Sequence, residues 1–321
     1  MKTIQCFFLS VAILIIVSCK KDKGDLSTVE TYAPKYIAST AATIGCYIKS
    51  DGGTGIASCG VYLSNSQNSE TTGTQLQMGN DTGIYIGKVS GLLPGTIYYM
   101  KAYAINTKGE AFGSEVSFMT PSTIRDFDNS IYETASIGTQ VWMAENLKTT
   151  HYQNGDLINT TTPATLNITS ETSPEYQWSY SGNENNVQVY GRLYTWYVIT
   201  DSRKICPSGW HIPTDAEWTL IENTLGTYVI AGSKLKEMGN DHWQSPYNLD
   251  ATDESCFTAL PGGYRDSNGS FYMLQNNGYW WSATQSETSS SWARNLNSGT
   301  PVVVRSGANK SWGLSVRCIK D

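Results

Sequence analysis

The stretch CPSGWHIPTDAEW, residues 206–218, decides the fold because it is typical of the start of an amphipathic helix. Thr214 is placed to cap the first free backbone amides, and Glu217, three residues later, to reach back to the N–H of the cap. Three apolar residues then recur at helical spacing on one face: Trp218, Ile221 and Leu225. Gly226 supplies a left-handed stop. We therefore predict a helix from Thr214 to Gly226 that packs its apolar face on a core.

Length and composition set limits on the protein class. With 321 residues the chain is long enough for two domains. Charged residues make up 16%, below the globular average of about a quarter, while 20 Tyr, 10 Trp and 29 Gly indicate short strands, turns and an aromatic core. The net charge of −6, without a basic cluster beyond the N-terminal segment, argues against a nucleic-acid partner.

The N-terminus has the pattern of a targeting segment. Lys2 precedes an apolar run, residues 6–17, that is too short to span a bilayer comfortably. The run ends in Ile-Val-Ser-Cys at residues 16–19, which resembles the bacterial lipobox, whose cysteine is lipidated. We predict a signal peptide at 1–18, a lipid on Cys19 and a flexible tether at 19–30. An ordinary signal peptide with an incidental cysteine is the alternative. The expected location is the cell envelope, at the outer membrane, with surface exposure left open.

Residues 31–121 have the pattern of an all-β sandwich, with short apolar runs separated by glycine-rich turns. One predicted strand places four residues on a shared face: Tyr98, Met100, Ala102 and Ala104. The residues Leu92, Pro94, Thr96 and Tyr98 resemble the Leu-x-Pro-x-Thr-x-Tyr signature of a fibronectin type III module, in which the tyrosine forms a corner. The resemblance implies a spacer or binding module.

Residues 122–321 form the second predicted domain. Residues 126–143 contain a polar turn, a strand, a glycine turn and a second strand, and therefore predict a hairpin. Residues 160–182 are rich in Thr, Ser and Asn and predict an exposed insertion. Residues 190–199 are mostly apolar and predict a short helix that leads to Cys206. Strand and turn patterns resume after the Thr214 helix.

Five segments in order resemble the Fibrobacter succinogenes major paralogous domain: residues 128–147, 190–218, 260–265, 279–282 and 315–318. That family is similar to the C-type-lectin-like fold and to formylglycine-generating proteins, in which a similar Pro-Thr-Glu-Ala-Glu-Trp run occupies the position of residues 213–218. The resemblance implies an α+β domain with two short helices, a twisted and mostly antiparallel sheet, and long surface loops. The family has no defined biochemical activity.

The cysteines divide into three groups. By resemblance to both related folds, Cys206 and Cys318 are expected to form a disulfide, which persists in an oxidising compartment. Cys46 and Cys59 lie on neighbouring predicted strands and either pair or remain as buried thiols. Cys256 is expected to be a small core residue.

No motif in the sequence supports catalysis. A formylglycine-generating oxidase needs a redox cysteine pair, and residues 291–296, where it is expected, contain no cysteine. Hydrolase motifs are missing, and the three histidines lack metal-binding spacing. Two Asp/Asn clusters, at residues 126–129 and 266–269, are calcium candidates, but turns that use these side chains for local hydrogen bonds are favoured. We expect a non-enzyme without a cofactor.

A binding function is the remaining hypothesis. Sugar-binding motifs of C-type lectins do not occur, yet aromatic residues are abundant near predicted turns between residues 260 and 315. Most of the tryptophans there, including Trp280, Trp281, Trp292 and Trp312, are expected in the core. The candidate ligand contacts are Tyr264, Tyr272 and Tyr279, in turn-rich surroundings. We expect a membrane-anchored head that recognises a glycan or a protein. The alternative is a structural envelope component without a small ligand.

Overall fold

The structure is a computed structural model that describes residues 24–244, 248 and 250–321. The predicted signal peptide and Cys19 lie outside the described residues. Within residues 24–121 the structure has nine strands and one helical turn: β1 Thr28–Tyr32, β2 Tyr36–Ala38, β3 Ala41–Ser50, β4 Ser58–Ser64, α1 Ser69–Thr72, β5 Thr74–Gly79, β6 Gly83–Ser90, β7 Ile97–Asn106, β8 Gly109–Phe112 and β9 Val116–Met119.

These strands form two facing sheets. The first places β3 between β1 and β6, and the second has the order β5-β4-β7, with β8 and β9 both paired to β7. The predicted shared face of β7 is confirmed, because Tyr98, Met100, Ala102 and Ala104 are all buried in the core between the sheets. The Tyr98 hydroxyl accepts a hydrogen bond from the Leu93 N–H at 2.9 Å, and this bond ties the turn to the strand.

The described residues from 122 onward contain thirteen strands, four α-helices and one 3-10 turn: β10 Ile124–Arg125, β11 Ile131–Tyr132, β12 Thr134–Ile137, β13 Gln140–Met143, β14 Gln177–Trp178, the 3-10 turn Tyr180–Gly182, α2 Asn185–Tyr190, β15 Leu193–Tyr194, α3 Trp196–Ile199, β16 Trp210–His211, α4 Asp215–Thr224, α5 Ala231–Leu235, β17 Gly262–Arg265, β18 Phe271–Leu274, β19 Asn277–Gln285, β20 Ser290–Asn297, β21 Val303–Asn309 and β22 Ile319–Lys320. The protein is therefore mostly β with a few short helices.

The hairpin predicted between residues 126 and 143 is confirmed, with β12 and β13 joined at Gly138. The short strand β2 pairs with β3 on one side and with β12 on the other, so one sheet runs across the expected boundary at residues 121–122. Ser39 and Thr134 exchange backbone and side-chain hydrogen bonds there. Lys88 Nζ and the mostly buried carboxylate of Asp253 form an ion pair at 2.6 Å across the same boundary.

A third large sheet, of five strands, has the order β18-β17-β19-β20-β21. Helix α4 packs against β19 and β20 and contributes Trp218, Ile221 and Leu225 to the core, as its spacing predicts. Arg294 on β20 is 1% exposed, and it joins the sheet to the helix through Asp215 (2.7 Å) and Glu222 (2.5 Å).

The predicted start of α4 is confirmed. Thr214 Oγ1 accepts from the Glu217 N–H at 3.3 Å, and the Glu217 carboxylate accepts from the Thr214 N–H at 2.7 Å. Gly226 follows with φ of +105°, a conformation that glycine adopts without strain.

The single helix predicted for residues 190–199 is wrong. Helix α2 ends at Tyr190, strand β15 intervenes, and α3 begins at Trp196. Gly191 breaks the helix with φ of +73°, and a Cβ at this position would lie 2.6 Å from Cβ of Asn146. The apolar run is therefore buried as three short elements instead of one helix.

The insertion predicted as exposed at residues 160–182 is only partly so. Ile168 and Trp178 are buried, although many of their neighbours are exposed. The Arg265 side chain, stacked over the Trp178 ring, donates to the carbonyls of Ala164 (3.0 Å) and Leu166 (2.5 Å). A buried guanidinium thus fixes a polar loop against the sheet.

The expected disulfide is present between Cys206 and Cys318, which are 112 residues apart in the sequence. Cys46 and Cys59 are free buried thiols, so the unpaired alternative holds, and Cys256 is buried as expected. Burial raises the pKa of Cys46 to about 12 and that of Cys256 to about 11, so both stay protonated at neutral pH.

No helix within residues 24–244 or 250–321 is long and apolar enough to cross a membrane.

Candidate ligand-binding site

The three candidate tyrosines come together with Trp312, and we call these four residues the aromatic strip. Tyr264 lies in the middle, with ring centroids 5.4 Å from Tyr272 and 5.1 Å from Trp312, both in stacked geometry. Tyr279 meets Tyr264 edge-on at 5.1 Å. Such offset and edge-to-face pairs are the favoured geometries between aromatic rings.

Strand pairing places these rings. Tyr264 on β17 lies directly opposite Tyr272 on the antiparallel β18, so both side chains project from the same face. Trp312 precedes Gly313, whose N–H and C=O both pair with the backbone of Arg265. The expected turn-rich surroundings are present, because turns at residues 267–268 and 275–276 join β17, β18 and β19, the strands that carry the three tyrosines. The first of these turns is the hairpin that joins β17 to β18.

The hairpin turn between β17 and β18 is stabilised by hydrogen bonds among its own residues. The Asp266 N–H donates to the Ser270 carbonyl, and the Asp266 carboxylate accepts from the Asn268 N–H at 3.2 Å. Gly269 has φ of +98°, and a Cβ at this position would lie 2.0 Å from the Thr165 carbonyl oxygen. The turn therefore packs directly on the insertion, which positions Tyr272.

A row of asparagines continues the strip on β19 and β20. Asn277 Nδ2 donates to the Tyr279 hydroxyl and to Asn295 Oδ1, both at 3.3 Å. Asn297 Nδ2 donates to Asn277 Oδ1 at 3.0 Å. Neither Asn277, two residues before Tyr279 on the same strand, nor Asn295, which the register of β19 and β20 brings opposite Tyr279, was predicted from the sequence.

The four rings of the aromatic strip differ in their exposure to solvent. Tyr272 is 38% exposed, and the other three rings are half-buried. Burial raises the pKa of the Tyr264 and Tyr279 hydroxyls, so both remain protonated donors at neutral pH. Because Tyr264 has neighbours stacked on it, its main role is to support the strip, while Tyr272 presents aromatic surface to solvent.

The other candidate tryptophans have different surroundings. Trp280 and Trp281 are 1% exposed and lie in the core, as expected. Trp292 is only partly buried, and the Arg305 guanidinium stacks over its ring at 3.3 Å.

The carboxylates of the two Asp/Asn clusters accept hydrogen bonds from the protein, locally at Asp126 and from residues 22 and 23 positions away at Asp128. Asp126 accepts from the Ser130 N–H at 2.9 Å, and Asp128 accepts from the N–H of Thr150 and from His151. In the part of the chain that the structure describes, no three His, Cys, Asp or Glu side chains converge to hold a metal ion. The calcium alternative remains an untested prediction.

Comparison with known proteins gives one family. The sensor domain of the anti-sigma factor RsgI4 from Pseudobacteroides cellulosolvens aligns with 30% of this chain and 95% of its own length, at 16% identity and a TM-score of 0.24. No curated protein matches the sequence. The profile of the Fibrobacter succinogenes major domain matches residues 135–320, more than half of the chain. The chain therefore belongs to the Fibrobacter succinogenes major domain family.

Proposed function

We propose that this protein is a non-catalytic binding protein whose aromatic strip recognises a glycan. The observation that carries the proposal is the juxtaposition of an aromatic row with a row of side-chain amides on one sheet. A sugar ring offers an apolar C–H face, which packs on an aromatic ring, and hydroxyl groups, which pair with amides and tyrosine hydroxyls.

A glycan suits this surface better than a charged partner. The side chains that line it, Tyr264, Tyr272, Tyr279, Trp312 and Asn295, include no acidic or basic residue. Recognition then depends on stacking and on hydrogen bonds, as in other sites built from a few polar groups on an aromatic surface.

The remaining parts of the chain would present this head outside the cytoplasm. We propose a lipid on Cys19 and an envelope location at the outer membrane. The sandwich at 31–121 would be a fibronectin type III-like spacer, supported by its strand order and by the Tyr98–Leu93 hydrogen bond. The domain at 122–321 would be lectin-like, supported by the disulfide between Cys206 in its middle and Cys318 near its end.

A glycan array with the protein lacking residues 1–19 tests the binding proposal. Saturable binding to one class of glycan is expected, and Tyr272→Ala should weaken it roughly tenfold through the loss of one stacking surface. Tyr228→Ala is the matched control, since Tyr228 is 57% exposed and lies outside the strip. Equal losses in both variants would contradict the assignment of the site.

Two further outcomes separate the alternatives. No binding to any glycan, together with co-purification of envelope proteins, would support the structural role instead. Incorporation of labelled palmitate that disappears in Cys19→Ser would support the anchor, and incorporation that persists would refute it.

A further inference from the structure

A cavity of about 350 Å³ lies at the opposite end of β19 from Tyr279. It opens between the loop that follows α3 and the segment that leads into α4. Apolar side chains form much of its lining: Ile199, Ile205, Trp210, Ile212 and Ala283. The volume is in the range of small-molecule sites, about 300–1,000 Å³.

Trp210 is exceptional among the buried tryptophans. Every other buried indole donates its N–H to a protein acceptor, as Trp218 does to the Trp281 carbonyl (3.2 Å) and Trp281 to that of Tyr194 (2.7 Å). The Trp210 indole is 7% exposed, and within the described residues its N–H has no protein acceptor. The ring lines the cavity, so a guest there would supply the acceptor that the protein does not.

The charges at the rim favour an uncharged guest. Asp201 is paired with Arg203 at 2.8 Å, and His211 is paired with Glu217 (2.9 Å) and Asp321 (2.7 Å). Lys204 at the edge is exposed to solvent, where water screens its charge. An ionic ligand would have to compete with these pairs, whereas an apolar body gains from burial against the isoleucines.

We propose that this cavity binds a small uncharged molecule with an apolar body and one acceptor oxygen, which takes the hydrogen bond of the Trp210 N–H. The site is separate from the aromatic strip, and it does not depend on the glycan proposal.

Titration of the ¹⁵N-labelled protein with acetophenone, followed by indole N–H resonances, tests the proposal. Acetophenone carries a carbonyl acceptor, and ethylbenzene is the matched probe without one. We expect a saturable shift of the Trp210 resonance, assigned with Trp210→Phe, and binding of acetophenone up to about tenfold tighter than that of ethylbenzene. Ala283→Leu should fill the cavity and weaken both probes by at least tenfold, with the Trp312 resonance of the aromatic strip unchanged.

The outcomes are decisive in either direction. Trp210→Phe should retain binding at the isoleucine methyl resonances but lose the preference for acetophenone. If that variant does not fold, Ala283→Leu provides the same test of location. The absence of any saturable shift at Trp210 up to the solubility limit overturns the proposal, as does a shift confined to Trp312. Glycan binding should move the Trp312 resonance and leave Trp210 unaffected, so the two proposed sites fail independently.

Discussion

Removal of the Cys206–Cys318 disulfide should be among the most destabilising changes in this protein. The bond closes a loop with a sequence separation of 112 residues, and it ties the segment before β16 to the segment before β22. The loop-closure expression for the unfolded state gives about 4.8 kcal/mol at 25 °C for a loop of this length. For a unit of 150–250 residues this corresponds to a fall in melting temperature of roughly 10–20 °C.

The assay is urea unfolding at 25 °C of Cys206→Ala/Cys318→Ala, followed by tryptophan fluorescence. The matched control is Cys46→Ala/Cys59→Ala, which removes two buried sulfurs without removing a cross-link. The cross-linking contribution is the difference between the two losses in the free energy of unfolding. A difference below about 1 kcal/mol would refute the argument that the bond acts by restricting the unfolded chain.

Three further changes test other contacts. Thr214→Ala removes the cap of α4 and should lower the free energy of unfolding by about 1 kcal/mol, measured in urea; an unchanged midpoint contradicts the capping box. Glu222→Gln removes one of the two carboxylates that pair with the buried Arg294, and it should lower the free energy of unfolding by roughly 3 kcal/mol in the same assay. A loss within experimental error would show that Asp215 alone is enough to stabilise the Arg294 charge. Burial opposes protonation of His211, but its hydrogen bonds to two carboxylates outweigh burial and raise the pKa of the imidazole. Protonated His211 therefore stabilises the folded protein fully below the unfolded-state pKa, and this contribution is lost as the pH rises through the folded-state pKa. The melting-temperature difference between wild type and His211→Asn should therefore be largest below the unfolded pKa of about 6.5 and should shrink as the pH rises above the folded pKa. A difference independent of pH contradicts this account.

Local patterns predicted those elements whose signals are local. The cap, apolar face and stop of α4 involve residues a few positions apart, and all three are confirmed. The hairpin at Gly138 is equally local. The helix predicted for residues 190–199 is wrong because apolar content does not distinguish one helix from several short buried elements. The close approach of Asn146 to Gly191, from a distant part of the chain, makes that distinction.

The candidate ligand-binding site was predicted only in part, because its geometry depends on contacts between segments that are distant in the sequence. The turn-rich surroundings predicted for Tyr264, Tyr272 and Tyr279 marked them as candidate ligand contacts, but their order in the strip depends on the pairing of β17 with β18. Trp312 joins them through the backbone contact between Gly313 and Arg265, 48 positions apart in the sequence.

Sequence patterns alone therefore account for the helix with its cap, the hairpin and the mostly β class, because each depends on periodicity or on side chains that bond their own neighbours. Long-range packing accounts for the rest: the sheet that β2 extends across the two halves, the aromatic strip and the unpaired Trp210 donor. The physical reason is that cross-strand register and burial depend on which distant segments pack together, and the local sequence pattern does not determine that pairing.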